Sequence, residues 1–130
     1  MTTDRCPFEK AILCSCCRCP LAEKHLLAER ESVSCSSQAR ASACLEFYEA
    51  LKSMAFFALK LTEGRIPHAK EMKLECGGLN GLRATLGIED PDVGVSELLS
   101  GALSRFRSPE NFPPAEFVQS ISAYSPRRRD

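Results

Sequence analysis

The sequence predicts a mostly α, small single-domain helical fold with an irregular Cys-rich N-terminal loop packed on a long central helix. Three observations predict it. The 130 residues are 44% hydrophobic and 26% charged, an ordinary globular balance in a chain long enough to bury a core without covalent staples. Apolar residues recur at helical spacing over residues 36–62, 95–106 and 116–123. Seven cysteines (Cys6, Cys14, Cys16, Cys17, Cys19, Cys35 and Cys44) fall within the first 44 residues, and the stretch that holds most of them has no sustained period. Residues 1–124 are expected to form the single Cys-rich helical domain, and 125–130, with Arg127, Arg128 and Arg129, a flexible basic tail.

Residues 1–19 read as an irregular loop. A short helix is expected from Pro20 to about Glu31, because proline is pre-shaped for the first helical position. Cys19 would then stand at its N-cap. Ser32 to Ser37 breaks the pattern, and Ser36 or Ser37 caps a long helix running to about Thr62, with Gly64 as its stop. Glu46, Glu49, Ser53 and Lys60 form one narrow polar stripe on that helix. Leu45, Phe47, Leu51, Met54, Phe56, Phe57 and Leu59 cover the rest, the pattern of a helix packed on several sides, with Cys44 on its buried body.

Glu63 to His68 is a connector, and Met72 to Cys76 is expected to be a short extended piece. Gly77-Gly78 is expected to turn into a short helix over 79–86. After an acidic loop with Pro91, Ser96 and Glu97 open a helix whose apolar side is Val95, Leu98, Leu99, Ala102, Leu103 and Phe106. Pro113-Pro114 starts a last helix over 116–123, with Phe117, Val118 and Ile121 facing in.

Charge narrows the function. With 17 basic and 17 acidic side chains the chain is formally neutral, so nothing global recruits nucleic acid or an anionic membrane. The most apolar stretch, Leu45 to Leu61, carries Glu46, Glu49, Lys52 and Lys60, too many charges for a membrane span. The start shows no secretory pattern, so a soluble, cytoplasmic protein is expected. In a reducing compartment metal binding is favoured over disulfides.

The cysteine spacing carries the chemistry. Cys14 with Cys17 and Cys16 with Cys19 form two interleaved C-x-x-C pairs. Both pairs cannot point at one tetrahedral ion without strain, whereas a polynuclear cluster offers each sulfur a different metal atom. Cys19 and Cys35 are expected near helix N-termini and Cys76 at a glycine nest, positions that stabilise thiolates. The first expectation is therefore one [4Fe–4S] cluster held by four of Cys6, Cys14, Cys16, Cys17, Cys19, Cys35 and Cys44. Two clusters rank second, because Cys44 and Cys76 serve equally well as structural residues.

Neither ferredoxin spacing, C-x2-C-x2-C-x3-C-P nor C-x4-C-x2-C, is present. Structural zinc prefers two separated pairs, and Cu(I) accepts dense irregular thiols, so Zn or Cu(I) in an interaction module is an alternative. A thiol or sulfur-transfer protein using Cys76 or the Cys14–Cys19 run is another. His25 and His68, the only two histidines, read as structural or solvated side chains.

No triad, paired-carboxylate or phosphate-loop signature appears. The expected role is electron transfer or service as a cluster-bearing accessory subunit, with a redox partner protein or larger enzyme complex. Turnover by this chain alone is not expected.

Overall fold

The computed structural model describes residues 4–13, 17–27, 30–62, 64, 66–90 and 93–124. Its N-terminal part is built on a three-stranded antiparallel sheet of order β1-β3-β2, with β1 at Asp4–Arg5, β2 at Ala22–Leu27 and β3 at Arg30–Cys35. The register runs from Ala22 opposite Cys35 to Leu27 opposite Arg30, while Asp4 lies opposite Cys35 on the other edge.

This sheet replaces the helix expected over 20–31. Glu23, Lys24 and Leu26 are good helix formers, but a helix of that length is marginal by itself. Val33 favours extended backbone, and the strand around it gives β2 a full ladder to pair with. Helix α1 (Glu9–Leu13) lies against β3. Where β1 ends, Cys6 N–H still donates to Val33 O (3.0 Å), and Val33 N–H donates to Glu9 Oε2 (2.8 Å). A buried carboxylate thus satisfies a strand amide that has run out of neighbouring strand.

Helix α2 spans Gln38–Ala55 and starts as the sequence predicts, with the Ser37 hydroxyl accepting from Arg40 N–H at 3.3 Å. Its buried residues Ala41, Cys44, Phe47, Leu51 and Ala55 repeat every three or four positions, and Glu46, Glu49, Ser53 and Lys60 are exposed as expected. It ends earlier than Thr62. Leu61 N–H reaches back to Phe56 O (2.9 Å), and Lys60 takes φ 54, so a lysine fills the left-handed closing position in place of Gly64. Phe57, just past the regular helix, is 89% exposed, so the apolar surface is not covered on every side.

From His68 to Leu86 the chain is one continuous rod: α3 (His68–Met72), a π-helical stretch (Lys73–Gly77) and α4 (Gly78–Leu86). The extended piece and the Gly77-Gly78 turn are both corrected here. The glycines are spacers, not hinges: a Cβ on Gly77 would stand 2.6 Å from Ile121 Cα, and one on Gly78 2.5 Å from Leu51 Cδ1. Helices α5 (Val95–Phe106) and α6 (Pro114–Ala123) follow as predicted, with Gly94 as the residue before the first α5 turn.

Phe47 links the parts, its ring 5.6 Å from Phe8, 5.7 Å from Phe112 and 6.0 Å from Phe117. One apolar cluster runs from Phe8 to Ile121. The chain is mostly helical, with two unpredicted components: the sheet, and helix α1, which lies in the stretch expected to be an irregular loop. Among the described residues no helix is long and apolar enough to cross a membrane. The tail expected over 125–130 lies outside the described residues.

Candidate metal centre

Strand pairing brings distant cysteines together. Cys35 closes β3, and the β1–β3 register carries Cys6 alongside it from one edge. On the other edge Ala22 pairs with Cys35 and donates its N–H to Cys19 O (3.1 Å), which sets Cys19 beside the same strand end. The Cys35 thiol donates to Ser37 O (3.2 Å), and from Ser37 the helix α2 brings Cys44 back over the sheet. Cys6, Cys19, Cys35 and Cys44 line one small, partly open cavity of about 20 Å³, walled by apolar residues such as Phe8, Ile12 and Val95, with Arg40 as its cation. That is room for a body the size of one water molecule.

All four are free thiols. Cys35 and Cys44 are buried, while Cys6 and Cys19 are half-buried. Burial pushes the Cys6 thiol up to about 11, against an opposing hydrogen bond from the Phe8 backbone, with Cys19, Cys35 and Glu75 adding to the rise. Burial likewise pushes Cys44 up to about 12, reinforced by Cys6, Cys19 and Cys35 and opposed by Arg40. The cavity therefore resists negative charge unless a cation arrives, and a coordinated thiol gives up its proton outright. Among the described residues no group of three or more His, Cys, Asp or Glu side chains already stands in position to hold an ion. The sulfurs ring the space without converging on a point inside it.

The remaining cysteines are placed elsewhere. Cys17 is buried (3% exposed) in the apolar core and does not line this cavity. Cys14 and Cys16 lie outside the described residues. Cys76 is 1% exposed, sits on the π-helical stretch and is disulfide-bonded, to none of the five free cysteines. It is not a thiolate on an open glycine nest, because Gly77 and Gly78 are helical and buried. Cys19 precedes a strand, not a helix, and Cys35 lies two residues before the cap. His25 Nε2 meets Ser34 Oγ at 2.8 Å across the hairpin, and His68 is exposed at the start of α3.

Sequence reasoning missed a second constellation. Glu71 and Glu75 lie one turn apart on the α3 and π-helical rod, a relation hidden while 72–76 was read as extended. Tyr48 O–H donates to Glu71 Oε2, and Ala11 N–H donates to Glu75 Oε1 (3.0 Å). Burial raises Glu75 to about 8; the Ala11 hydrogen bond opposes this, Glu71 adds to it, and Lys10 partly offsets it. Tyr48 is lifted above the usual phenol range by burial and by its bond to Glu71.

No protein-family model, curated protein or solved structure matches the chain.

Proposed function

We propose that the protein is a small cytoplasmic metal–thiolate protein whose inorganic centre is held by Cys6, Cys19, Cys35 and Cys44. The occupant we assign is a [4Fe–4S] cluster, used to pass electrons to or from a redox partner protein or carried as part of a larger enzyme complex. One observation carries this reading: four free thiols from four separate segments share a single small, apolar-walled space. Four is the ligand number of such a cluster, and a dry wall with backbone hydrogen bonds to sulfur is what tunes its potential. The half-buried Cys6 and Cys19 put one edge of the centre near the surface, where a partner can reach it.

A second reading is favoured by the size of the space. About 20 Å³ suits a single tetrahedral ion, zinc with sulfurs at about 2.3 Å, better than the eight atoms of a cubane. A cluster requires the thiols to swing outward; Cys6 and Cys19 lie outside regular elements and are only half-buried, which leaves their side chains room to turn.

Anaerobic purification with iron, sulfide, zinc and copper analysis separates the two. Broad absorption near ~400 nm with iron and sulfide assigns the cluster. Colourless protein with one zinc assigns the single ion. Cys44→Ser and Cys19→Ser should lose the metal, whereas Cys17→Ser should keep it. Metal-free protein in which all four thiols react freely would sink both readings.

A further inference from the structure

The sheet closes one of its edges and leaves the other bare. Beyond the short β1, Val33 N–H is met by Glu9 Oε2 (2.8 Å). On the far side β2 is the edge strand, and among the described residues β3 is the only element that packs closely on it. Glu23, Lys24, His25 and Leu26 are all exposed, Leu26 by 71%.

The ladder fixes which backbone groups face outward. Ser36 N–H donates to Leu21 O (2.9 Å) in the register that sets Ala22 opposite Cys35, so Leu21 and Ser36 are a hydrogen-bonded pair. Such pairs alternate along an antiparallel ladder, which makes Glu23 with Ser34 and His25 with Ser32 the next two. The β1 side agrees: Cys6 N–H donates to Val33 O, so Val33 turns its polar groups away from β2. Lys24 and Leu26 therefore point their N–H and C=O groups away from β3, into solvent. Ala22, the next residue of that set, already donates its N–H to Cys19 O (3.1 Å). The bare edge thus offers two donors and two acceptors, a template for another strand.

A second β2 fits that template. A two-fold axis through His25 sets Lys24 opposite the partner's Leu26, and Leu26 opposite the partner's Lys24. Each facing pair exchanges both N–H···O bonds, so every outward group of Lys24 and Leu26 is satisfied at once. Lysine is a common guard on strand edges, but in this register Lys24 meets no like charge. Its apolar stem lies over the exposed leucine while the ammonium stays in water. Moving the axis to Lys24 would set two lysines face to face and would ask for the Ala22 N–H that Cys19 O already holds.

We propose that the protein self-associates through its β2 edge, two copies pairing antiparallel about His25. The interface is short, so the dimer is weak and fills only at high protein concentration. The proposal does not depend on which metal, if any, fills the thiol site.

Sedimentation equilibrium of the protein from low micromolar to near-millimolar concentration tests it, with metal content measured on every sample. A reversible monomer–dimer equilibrium is expected. Amide hydrogen exchange on the same samples should show Lys24 and Leu26 gaining protection as the dimer fills, while His25, whose N–H faces β3, is protected throughout. Leu26→Pro removes an outward N–H that β3 does not use, and should weaken dimerisation at least about tenfold. His25→Lys sets two like charges opposite each other across the axis and should weaken it about two- to fivefold, even if the proline variant fails to fold. A monomer at every concentration, which would leave the edge to a strand of another protein, overturns the proposal. So does a dimer without protection at Lys24 and Leu26, or one that a folded Leu26→Pro or His25→Lys variant forms as tightly as the native chain.

Discussion

The two ends of the molecule bury themselves by different means. In the helical body, Leu74, Leu79, Leu82, Leu98, Leu99, Ala102, Phe117 and Ile121 are all 0% exposed, and helices approach so closely that Gly77 leaves no space for a methyl group. In the sheet region the same apolar core, through Phe8, Ala11, Ile12 and Val33, is interrupted by four thiols, a carboxylate bonded to a strand amide, and a small cavity. Hydrocarbon packing is complete without any guest. A ring of thiols is not: each contributes little packing, and together they resist ionisation. One half is packed hydrocarbon throughout, while the other mixes hydrocarbon with the thiols proposed to hold a metal.

Removing the proposed metal is the strongest way to break that contrast. Chelation should expose the amides of β2, β3 and the first turns of α2 to hydrogen exchange and leave α4, α5 and α6 protected, because binding energy at such centres is folding energy for the segments they join. Uniform loss of protection would erase the distinction. Reloading should tighten as pH rises toward the Cys6 value of about 11, since the thiols must give up protons to bind. A chelator competition at several pH values reads that slope.

The complementary test lies in the body. Phe117→Ala removes a fully buried ring that packs on Phe47 and Phe112, and should cost about 3–5 kcal/mol in urea unfolding without changing metal content per folded molecule. Parallel loss of metal would mean the two regions are one unit.

Glu75 gives a smaller effect with a definite sign. Its carboxyl keeps its proton up to about 8 in the folded chain, against an ordinary 4.5. The folded state therefore binds more protons between those values, and stability present in full below the lower one is lost as pH rises through the upper. The urea midpoint of the native protein should fall, relative to Glu75→Gln, between about pH 5 and about pH 8. Matching pH profiles would remove Glu75 as the source. Smallest of all, Ser37→Ala deletes the α2 cap and should cost about 1 kcal/mol, read as a lower unfolding midpoint.

Local chemistry was legible in the sequence and long-range pairing was not. Ser37 as a cap, Val95–Phe106, and the proline-started last helix are set by neighbouring residues, and each formed as read. The Ala22–Leu27 strand was missed because its helix-forming residues are overruled by pairing with β3. The Gly77-Gly78 pair was misread because glycine serves close approach as readily as turning, and only the position of Ile121 and Leu51 decides between them. For the candidate site, the dense Cys14–Cys19 run stands out in the sequence, yet of its described cysteines, Cys17 and Cys19, the cavity takes Cys19 and not Cys17. Cys6 and Cys35 meet through strand pairing and Cys44 through the return of α2 over the sheet, which no local spacing announces.

The π-helical stretch has a consequence for what the rod can face. An ordinary helix turns about 100° per residue, so one extra residue in a turn rotates everything beyond it by that angle. Upstream of Lys73 the rod lies against α1; downstream of Gly77 it lies against α5 and α6. A single inserted amino acid thus acts as a phase shifter, letting two separate neighbourhoods be served by one unbroken screw with no intervening loop.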